Sequence, residues 1–219
     1  DGTFTDVTKK SGIGEDCCTT VASWADYNRD GYLDLYVGRY LDPRKDIPTT
    51  FYARNGEPNQ LYRNNGPNKE GLVTFTNVTV EAGVGEPGLC LGNVWGDFDN
   101  DGDPDLYVSS GGIEMSEGDA TLQDRLYIND GKGNFTKREE SLPAMRSVKS
   151  CVRPADIDGD GDTDLFIGGR IVSGRYPAPA RSYLLINDGK GTFTEEIDTR
   201  CPDLKEAGMV TDAIWMDLN

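Results

Sequence analysis

Three short segments of the chain place oxygen-bearing side chains at the same intervals, and this is the pattern best suited to chemistry. The segments begin at Asp26, Asp97 and Asp156, and each carries Asp or Asn at positions 1, 3, 5 and 9, with glycine at position 6. Side chains that alternate around a sharp turn converge, and converging carboxylates repel one another strongly unless a cation lies between them. The pattern therefore predicts three metal sites, with side-chain ligands Asp26, Asn28, Asp30 and Asp34; Asp97, Asp99, Asp101 and Asp105; and Asp156, Asp158, Asp160 and Asp164.

The chemistry of these ligands favours Ca²⁺. Hard oxygen ligands in a flexible ring of high coordination number suit Ca²⁺ better than Mg²⁺. Position 7 would add a main-chain carbonyl oxygen, from Tyr32, Asp103 and Asp162, and a fourth, incomplete copy would contribute Asp217 and Asn219. The alternative is an acidic turn that lies in solvent without a metal. Three complete copies with matching positions favour calcium, and we expect about three complete sites.

These loops differ from the helix-flanked calcium loop of EF-hand proteins. That loop ends with a bidentate Glu at position 12, whereas position 12 here is Val37, Val108 or Ile167. The residues that follow position 9 have the alternation of a strand and not the period of a helix. Each loop is therefore predicted to join two β-strands, with the aspartate at position 9 completing the metal site.

The elements that must position these loops recur with a period near 60 residues. The first aspartates of successive copies are 71, 59 and 61 residues apart, and a second repeated element, LYRNNG, LYINDGKGNFT or LLINDGKGTFT, lies between them. We divide each unit into strand a before the acidic loop, strand b after it, strand c at LYRN or LYIN, and strand d after the NNG or NDG turn. Glycine in that turn supplies the positive φ that a tight hairpin needs.

Repeats of this length with two hairpins per unit predict an all-β fold, a β-propeller of four-stranded antiparallel blades with the calcium loops between strands a and b. Residues 1–219 would form about three and a half blades, because DGTFTDVT at the start matches strand d and AIWMD near the end matches strand a. We interpret the chain as a segment of a longer repeat protein. The alternative, one closing blade shared by both ends, would lack strands b and c.

Composition argues against several classes of function. The formal charge is −16 at pH 7, which argues against a nucleic-acid partner because phosphate binding needs basic patches. No apolar run reaches the 18 or more residues of a membrane span, and no signal peptide is visible. The chain has no histidine, which excludes Ser-His-Asp catalysis and His-ligated zinc. With no other catalytic signature, we expect a protein that is not an enzyme.

The cysteines and tryptophans favour structural roles. The five cysteines are odd in number and form no CxxC motif. Cys17 and Cys18 are adjacent and would form a strained redox disulfide, but small buried thiols on strands are the favoured interpretation. Trp24, Trp95 and Trp215 each lie two residues before the first aspartate of a loop. That regularity predicts packing between blades and not a platform for sugars.

The pattern D-x-[DN]-x-D-G-x-x-D-L, followed by LYxNDGxGxFT, resembles the FG-GAP/VCBS repeats, and integrin α-chain propellers carry similar calcium loops. The stretches GGRIVSGRYPAPARSYLLINDGKGTFTEE and LKEAGMVTDAIWMDLN resemble large, secreted bacterial VCBS-repeat proteins that often bear an ASPIC/UnbV-type domain. The resemblance implies a propeller of seven or eight blades, of which this chain holds about half, with structural calcium and an extracellular or cell-surface location. The sequence departs from the family in having no literal Phe-Gly-Gly-Ala-Pro and no ASPIC/UnbV domain among these residues.

The predicted b–c loops are the segments best placed to bind a ligand. They run over 38–60, 109–124 and 168–182, on the face opposite the calcium loops, and long irregular loops on a rigid scaffold are where binding sites usually lie. Arg and Tyr in two of them suit carboxylated sugars or acidic protein surfaces. The alternative, which we favour, is that Arg pairs with local acids and Tyr packs the blade edge. These residues are Arg39, Tyr40, Tyr52, Arg54, Arg170, Arg175, Tyr176 and Arg181.

Three functions are compatible with these observations. The first is a calcium-binding extracellular propeller that recognises a protein or glycan ligand, in adhesion for example. The second is a structural repeat that self-assembles into a surface layer or filament through its open ends. The third is a polysaccharide-cleaving enzyme that uses carboxylates as acid and base. A ligand that binds only in calcium would favour the first, concentration-dependent polymerisation the second, and a b–c face carboxylate with a raised pKa the third.

Overall fold

A computed structural model describes residues 2–14, 18–40 and 56–218. This part of the chain forms three four-stranded antiparallel sheets, each with its strands in sequence order. The strands are β1 (Thr19–Ala25), β2 (Asp34–Arg39), β3 (Gln60–Pro67) and β4 (Val73–Asn77) in sheet 1; β5 (Cys90–Gly96), β6 (Asp105–Ser110), β7 (Arg125–Asn129) and β8 (Phe135–Lys137) in sheet 2; and β9 (Val148–Ala155), β10 (Asp164–Ile171), β11 (Tyr183–Asn187) and β12 (Phe193–Glu195) in sheet 3.

Helical structure is slight in the described residues. It comprises α1 (Thr79–Ala82), α2 (Ile197–Arg200) and single 3₁₀ turns at Ala120–Leu122, Glu139–Ser141 and Pro202–Leu204. None of these helices is long and apolar enough to cross a membrane. The predicted all-β class and the division of each unit into four strands are confirmed.

The acidic loops and the strand registers repeat together. Position 9 of each loop is the first residue of the second strand of its sheet. The next residue pairs with the same position of the third strand each time, since Leu106 lies opposite Tyr127 and Leu165 lies opposite Leu185; sheet 1 shows the same pairing between Leu35 and Tyr62. The hairpin that follows each loop is therefore fixed relative to it.

Alternating residues of the middle strands pack against different neighbours. In sheet 2, Leu106 and Val108 share a buried cluster with Tyr36 of sheet 1, whereas Tyr107 shares another with Leu165 of sheet 3. Strands with both faces covered read as continuous apolar runs, which explains DLYV and DLFI. The three sheets are stacked face to face in sequence order.

The tryptophans follow this stacking only in part. The ring of Trp95 lies 6.1 Å from that of Tyr36 in the preceding sheet, and the ring of Trp215 lies 6.3 Å from that of Phe166 in sheet 3. The predicted packing between sheets is confirmed for Trp95, whereas Trp215 packs against sheet 3 from a described segment that belongs to no sheet. Trp24 instead contacts Phe75 of its own sheet and remains 52% exposed, because no described sheet lies beyond β1 on that side.

The two half-units at the ends differ from the prediction. Neither residues 4–8 nor 213–217 form strands among the described residues, because a strand needs a hydrogen-bonded partner and the matching hairpin halves are not among the 219 residues. Residues near the end instead attach to sheet 3, where the Val210 N–H donates to Gly169 O at 2.9 Å. Asp217 therefore lies outside any formed loop, and Asn219 lies outside the described residues.

The described cysteines are free thiols, namely Cys18, Cys90, Cys151 and Cys201. Cys90 and Cys151 are buried, as expected for small apolar residues on strands. Burial raises the pKa of the Cys90 thiol to about 12, which keeps it protonated and unreactive. Cys17 lies outside the described residues, so the adjacent-disulfide alternative is not addressed by them.

Candidate metal centres

The aspartate at position 9 anchors each acidic loop. In sheet 2 the buried carboxylate of Asp105 accepts the Phe98 N–H at 2.9 Å and the Asn129 N–H at 2.8 Å. Asp34 and Asp164 make the equivalent pairs of bonds, with Tyr27 and Asn64 and with Ile157 and Asn187. Each position-9 aspartate therefore joins position 2 of its own loop to the repeated asparagine of the third strand.

Positions 1 and 5 shape the turn between these anchors. The position-1 carboxylate accepts the N–H of the position-6 glycine in all three loops, at 2.9, 2.9 and 3.1 Å. The position-5 carboxylate accepts the N–H of position 7 at 2.9, 2.8 and 2.9 Å. Glycine is required at position 6 because its φ lies between 87° and 95°, in a region that side chains disfavour. The repeated sequence thus folds into one repeated geometry.

This geometry brings some predicted ligands together more closely than others. Carboxylate oxygens of Asp97, Asp99 and Asp105 lie within 4.8 Å of one another, as do those of Asp156, Asp158 and Asp164. Asp101 and Asp160 are not part of these groups, since their carboxylates are turned to the N–H of position 7. The first loop has Asn28 at position 3, and its three carboxylates, on the described residues Asp26, Asp30 and Asp34, do not form such a group, so the structure brings ligands together at two of the three predicted sites.

The second loop contains carboxylate oxygens that lack a partner. In the described part of the chain, Asp97 Oδ1 and Asp99 Oδ1 are buried and accept no hydrogen bond. Such oxygens cost about 1–3 kcal/mol each, and more when charged. A hard divalent cation would satisfy both, so the residues present fit a Ca²⁺ ion, which would supply positive charge and oxygen coordination to this loop.

Burial also perturbs the titration of these acids. Burial raises the pKa of Asp105 to about 7 and that of Asp34 to about 6, against hydrogen bonds from backbone N–H groups that lower both. The pKa values of Asp99 and Asp164 are raised as well, by burial and by the neighbouring carboxylates. A cation bound in each loop would favour the ionised form of these carboxylates and offset the effect of burial.

These pKa shifts predict that stability depends on pH with one sign in chelator and the opposite sign in calcium. In chelator, we expect the free energy of unfolding to fall as pH rises from about 5 to about 8, because the folded state holds protons on Asp34 and Asp105 that the unfolded state releases. This contribution is complete below the ordinary pKa of 3.8 and is lost as pH passes the folded values of about 6 and 7. In calcium the slope should reverse, since protons compete with the ion.

Denaturant melts at several pH values, in calcium and in chelator, measure both slopes. The variant Asp105→Asn cannot titrate at this position and should flatten the slope in chelator. Stability in chelator that rises over this range would contradict the assignment of raised pKa values to these aspartates.

Arginines lie beside the position-3 carboxylates. Arg138 Nη2 is 3.3 Å from Asp99 Oδ2, and Arg200 Nη2 is 3.1 Å from Asp158 Oδ2. In the first loop, where position 3 is Asn28, its amide donates to Asp30 at 3.0 Å instead. Each loop with an extra carboxylate thus has a cation beside it, so the net charges of the three loops differ less than their carboxylate counts.

Three asparagines, Asn64, Asn129 and Asn187, were missed as site residues, although the repeated LYRN, LYIN and LLIN end in them. Asn129 Nδ2 donates to Tyr27 O of the preceding loop at 2.8 Å and to Pro104 O of its own loop at 3.1 Å. Asn187 makes the same pair of bonds one sheet later. The last residue of the third strand therefore ties consecutive acidic loops together.

The Arg and Tyr residues of the b–c loops are mostly engaged locally. Arg39 pairs with Glu57 at 3.7 Å, and Tyr40 OH donates to Glu114. Arg181 pairs with Glu195 and Asp198 at 2.8 and 3.2 Å and lies over the Tyr183 ring. These contacts follow the favoured alternative of local pairing. Arg170, Arg175 and Tyr176 are exposed, and Tyr52 and Arg54 lie outside the described residues.

A cleft of about 440 Å³ opens on the face opposite the acidic loops, beside the b–c loop of sheet 2. Arg125, Lys137, Arg138 and Arg146 line it, together with Glu86, Asp124, Glu139 and uncharged residues. Lys137 Nζ pairs with Glu86 at 2.9 Å and with Glu139 at 3.2 Å. The guanidinium of Arg138 lies beside Asp99 and that of Arg125 beside Glu86, so exposed Arg146 is, of the described lining cations, the one outside these pairs and the one suited to bind an acidic group.

Comparison with known families explains the repeated geometry. A model described as FG-GAP-like repeat matches residues 46–108 and 116–167, more than half of the chain. The chain belongs to the FG-GAP-like repeat family. Both matched regions end at position 12 of an acidic loop, so an FG-GAP-like unit combines the last two strands of one sheet with the first two of the next. Comparison with curated proteins gives no match. The family resemblance is confirmed, and the link to ASPIC/UnbV domains stays a prediction.

Proposed function

We propose that this chain is part of a calcium-stabilised β-propeller that recognises a protein or glycan ligand outside the cell. The observation that carries the metal part is the pair of buried carboxylate oxygens without hydrogen-bond partners, on Asp97 and Asp99, in a loop whose geometry recurs in the other two sheets. Membership of the FG-GAP-like family supports a recognition role like that of integrin α-chains.

Regular packing between consecutive sheets supports the propeller. The bond from Asn129 to Tyr27 O at the first junction has the same positions as the bond from Asn187 to Phe98 O at the second. A constant relation between four-stranded sheets is the property that lets blades close into a ring. In that arrangement, residues 1–219 would supply about three and a half blades.

The proposed calcium is structural. Each loop joins the first two strands of a sheet and lies at the opposite end from the b–c loops, so an ion there would brace the scaffold and not touch the ligand. Extracellular calcium modules bind with Kd of about 10⁻⁴–10⁻³ M, a range that is saturated only where calcium is abundant. With an affinity in this range, the loops would be occupied outside the cell, which is the location we propose.

The cleft beside Arg125 and Arg146 is the proposed contact point for a carboxylated sugar or an acidic protein surface. Its volume of about 440 Å³ is within the range of about 300–1,000 Å³ typical of small-molecule sites. Arg146 is exposed at its rim and is free of the Lys137–Glu86 pair. Guanidinium groups bind carboxylates through two parallel hydrogen bonds.

Self-assembly is a second candidate, favoured by exposed apolar side chains at both ends of the stack. Trp24 and Leu33 of sheet 1 are 52% and 57% exposed, and Ile214 and Leu218 near the end are 82% and 83% exposed. Sedimentation velocity over a range of concentrations tests it.

Catalysis ranks third, because the described aspartates with raised pKa lie in the acidic loops or, for Asp124, in a buried pair with Lys149.

The test of recognition is binding to glycan and matrix-protein arrays, in calcium and in chelator. We expect binding to an acidic ligand class that is lost in chelator. Arg146→Ala should weaken it about tenfold, since a charge-assisted hydrogen bond contributes about 1.5–3 kcal/mol, whereas Arg175→Ala, an exposed arginine outside the cleft, should not. Absence of binding by folded protein in both conditions would favour the structural candidate.

A further inference from the structure

We propose that the acidic loops are coupled in series, so that an ion held by one loop strengthens ion binding by the next. The link runs from position 4 of each loop to position 7 of the following one, through Arg29 to Asp103 and through Asn100 to Asp162. This inference rests on the proposed metal function of the loops and goes beyond it, because nothing in three separate sites requires them to communicate.

Position 4 contacts position 7 of the next loop at both junctions between sheets. Arg29 Nε forms an ion pair with Asp103 Oδ1 at 2.9 Å, without the geometry of a hydrogen bond, and its Nη2 donates to Gly102 O. One sheet later, Asn100 Nδ2 donates to Asp162 Oδ1 at 2.6 Å and to Gly189 O at 3.3 Å. Two chemically different donors therefore reach the same position of the next loop.

The backbone of position 4 is left-handed in every loop, so its strain belongs to the loop itself. Arg29 and Asn100 have φ of 57° and 59°, in the left-handed region that non-glycine residues adopt rarely. The flanking positions 3 and 5 are predicted ligands, so an ion bound between them would hold the backbone of position 4. Ion binding would thereby fix the side chain that extends to the next loop.

Position 7 receives the contact at a group that the ion does not need. Its carbonyl oxygen is the predicted ligand, and its N–H already donates to position 5, at 2.8 Å from Asp103 to Asp101. Its carboxylate is confined on the other side by the hairpin glycine, since a Cβ on Gly131 would lie 2.4 Å from Asp103 Oδ2 and one on Gly189 2.5 Å from Asp162 Oδ2. Position 7 is thus held by two loops and one turn.

A second bond at each junction acts in the same direction. Asn129 donates its side chain to Tyr27 O, at position 2 of the preceding loop, and its N–H to Asp105, at position 9 of its own. Ordering of one loop therefore reaches two ligand positions of the next. A loop that is already ordered loses less conformational entropy on binding, which gives positive coupling.

The third loop makes no such contact. Its position 4 is Gly159, with φ of 82°, so it has no side chain with which to reach onward. The control for Asn100 is therefore taken outside the acidic loops. Asn65 is an exposed asparagine of β3 whose side chain bonds within its own hairpin, with Thr74 and Thr76.

Calcium titration of the chelator-treated full chain by calorimetry, at fixed ionic strength, tests the coupling. We expect a Hill coefficient above one for the wild type. Asn100→Ala should weaken binding to the third loop about fivefold, the lower end of typical coupling, and lower the Hill coefficient, while Asn65→Ala should match the wild type. Hydrogen exchange in chelator adds a readout without metal: the Asp162 N–H should exchange faster in Asn100→Ala alone.

Three outcomes separate the possibilities. A wild type that binds no calcium would overturn the proposed metal function and this inference with it. Three ions bound with independent affinities would overturn the coupling alone. Equal titration and exchange behaviour in Asn100→Ala and Asn65→Ala would also overturn the coupling, since the contact to Asp162 would then have no influence on the third loop.

Discussion

Removal of calcium should lower the melting temperature of this protein by roughly 15 °C or more. A ligand that binds only the folded state stabilises it by about 2.7 kcal/mol per site when its free concentration is 100 times its Kd. For a domain of this size, 1 kcal/mol corresponds to about 2–4 °C, and three sites act together. Calorimetric scans in calcium and in chelator, at constant ionic strength, measure the shift.

The size of this effect reflects the carboxylates that each loop brings together. Without an ion, Asp97, Asp99 and Asp105 remain clustered and two of their oxygens lack partners. Asp97→Asn should lower the melting temperature in calcium and have little effect in chelator, whereas Asp203→Asn, an exposed aspartate away from the loops, should change neither. A scan that chelator does not alter would rule out the proposed structural metal.

Replacing Lys149 by Met should destabilise the protein by about 3–5 kcal/mol, the usual cost of removing one member of a buried ion pair. Lys149 of β9 lies 3.0 Å from Asp124, and both side chains are completely buried. Its Nζ also donates to Leu122 O and Met145 O at 2.5 Å. The substitution leaves the Asp124 charge and two carbonyl oxygens without their donor, and urea denaturation measures the loss.

Two variants sharpen this test. Lys149→Met combined with Asp124→Asn should recover part of the stability, because no unpaired charge remains buried. Lys205→Met breaks the partly exposed pair with Asp198, 2.6 Å apart, and should cost less than about 1 kcal/mol. Equal effects of Lys149→Met and Lys205→Met would contradict a structural role for the buried pair.

The repeated parts of this protein could be predicted because they repeat. Three copies of one acidic motif revealed the loops, their glycine turns and the strands on either side, and the repeated asparagine of each third strand could have been found by the same reasoning. The arginines beside the position-3 carboxylates were not. Arg138 is 39 residues from Asp99 and Arg200 is 42 residues from Asp158, so their contacts follow no fixed spacing.

The buried ion pair could not be predicted from the sequence either. A lysine in a strand is normally exposed, and nothing near Lys149 indicates that it reaches Asp124 in the neighbouring sheet. The cleft beside Arg125 could not be predicted for the same reason, since the residues that line it come from segments far apart in the sequence. The predicted strands at 4–8 and 213–217 were wrong for a related reason: local pattern favours a strand, but pairing decides whether one forms.

The offset between the FG-GAP-like unit and the sheet affects how such arrays grow and how they can be cut. Because each unit completes one sheet and begins the next, duplication of a unit inserts two half-sheets that find partners on both sides, and the strand pairing of the array is preserved. A single unit excised at its own boundaries would contain two halves of different sheets, each without the two strands that complete it. The smallest segment able to fold by itself is therefore longer than the unit that evolution copies.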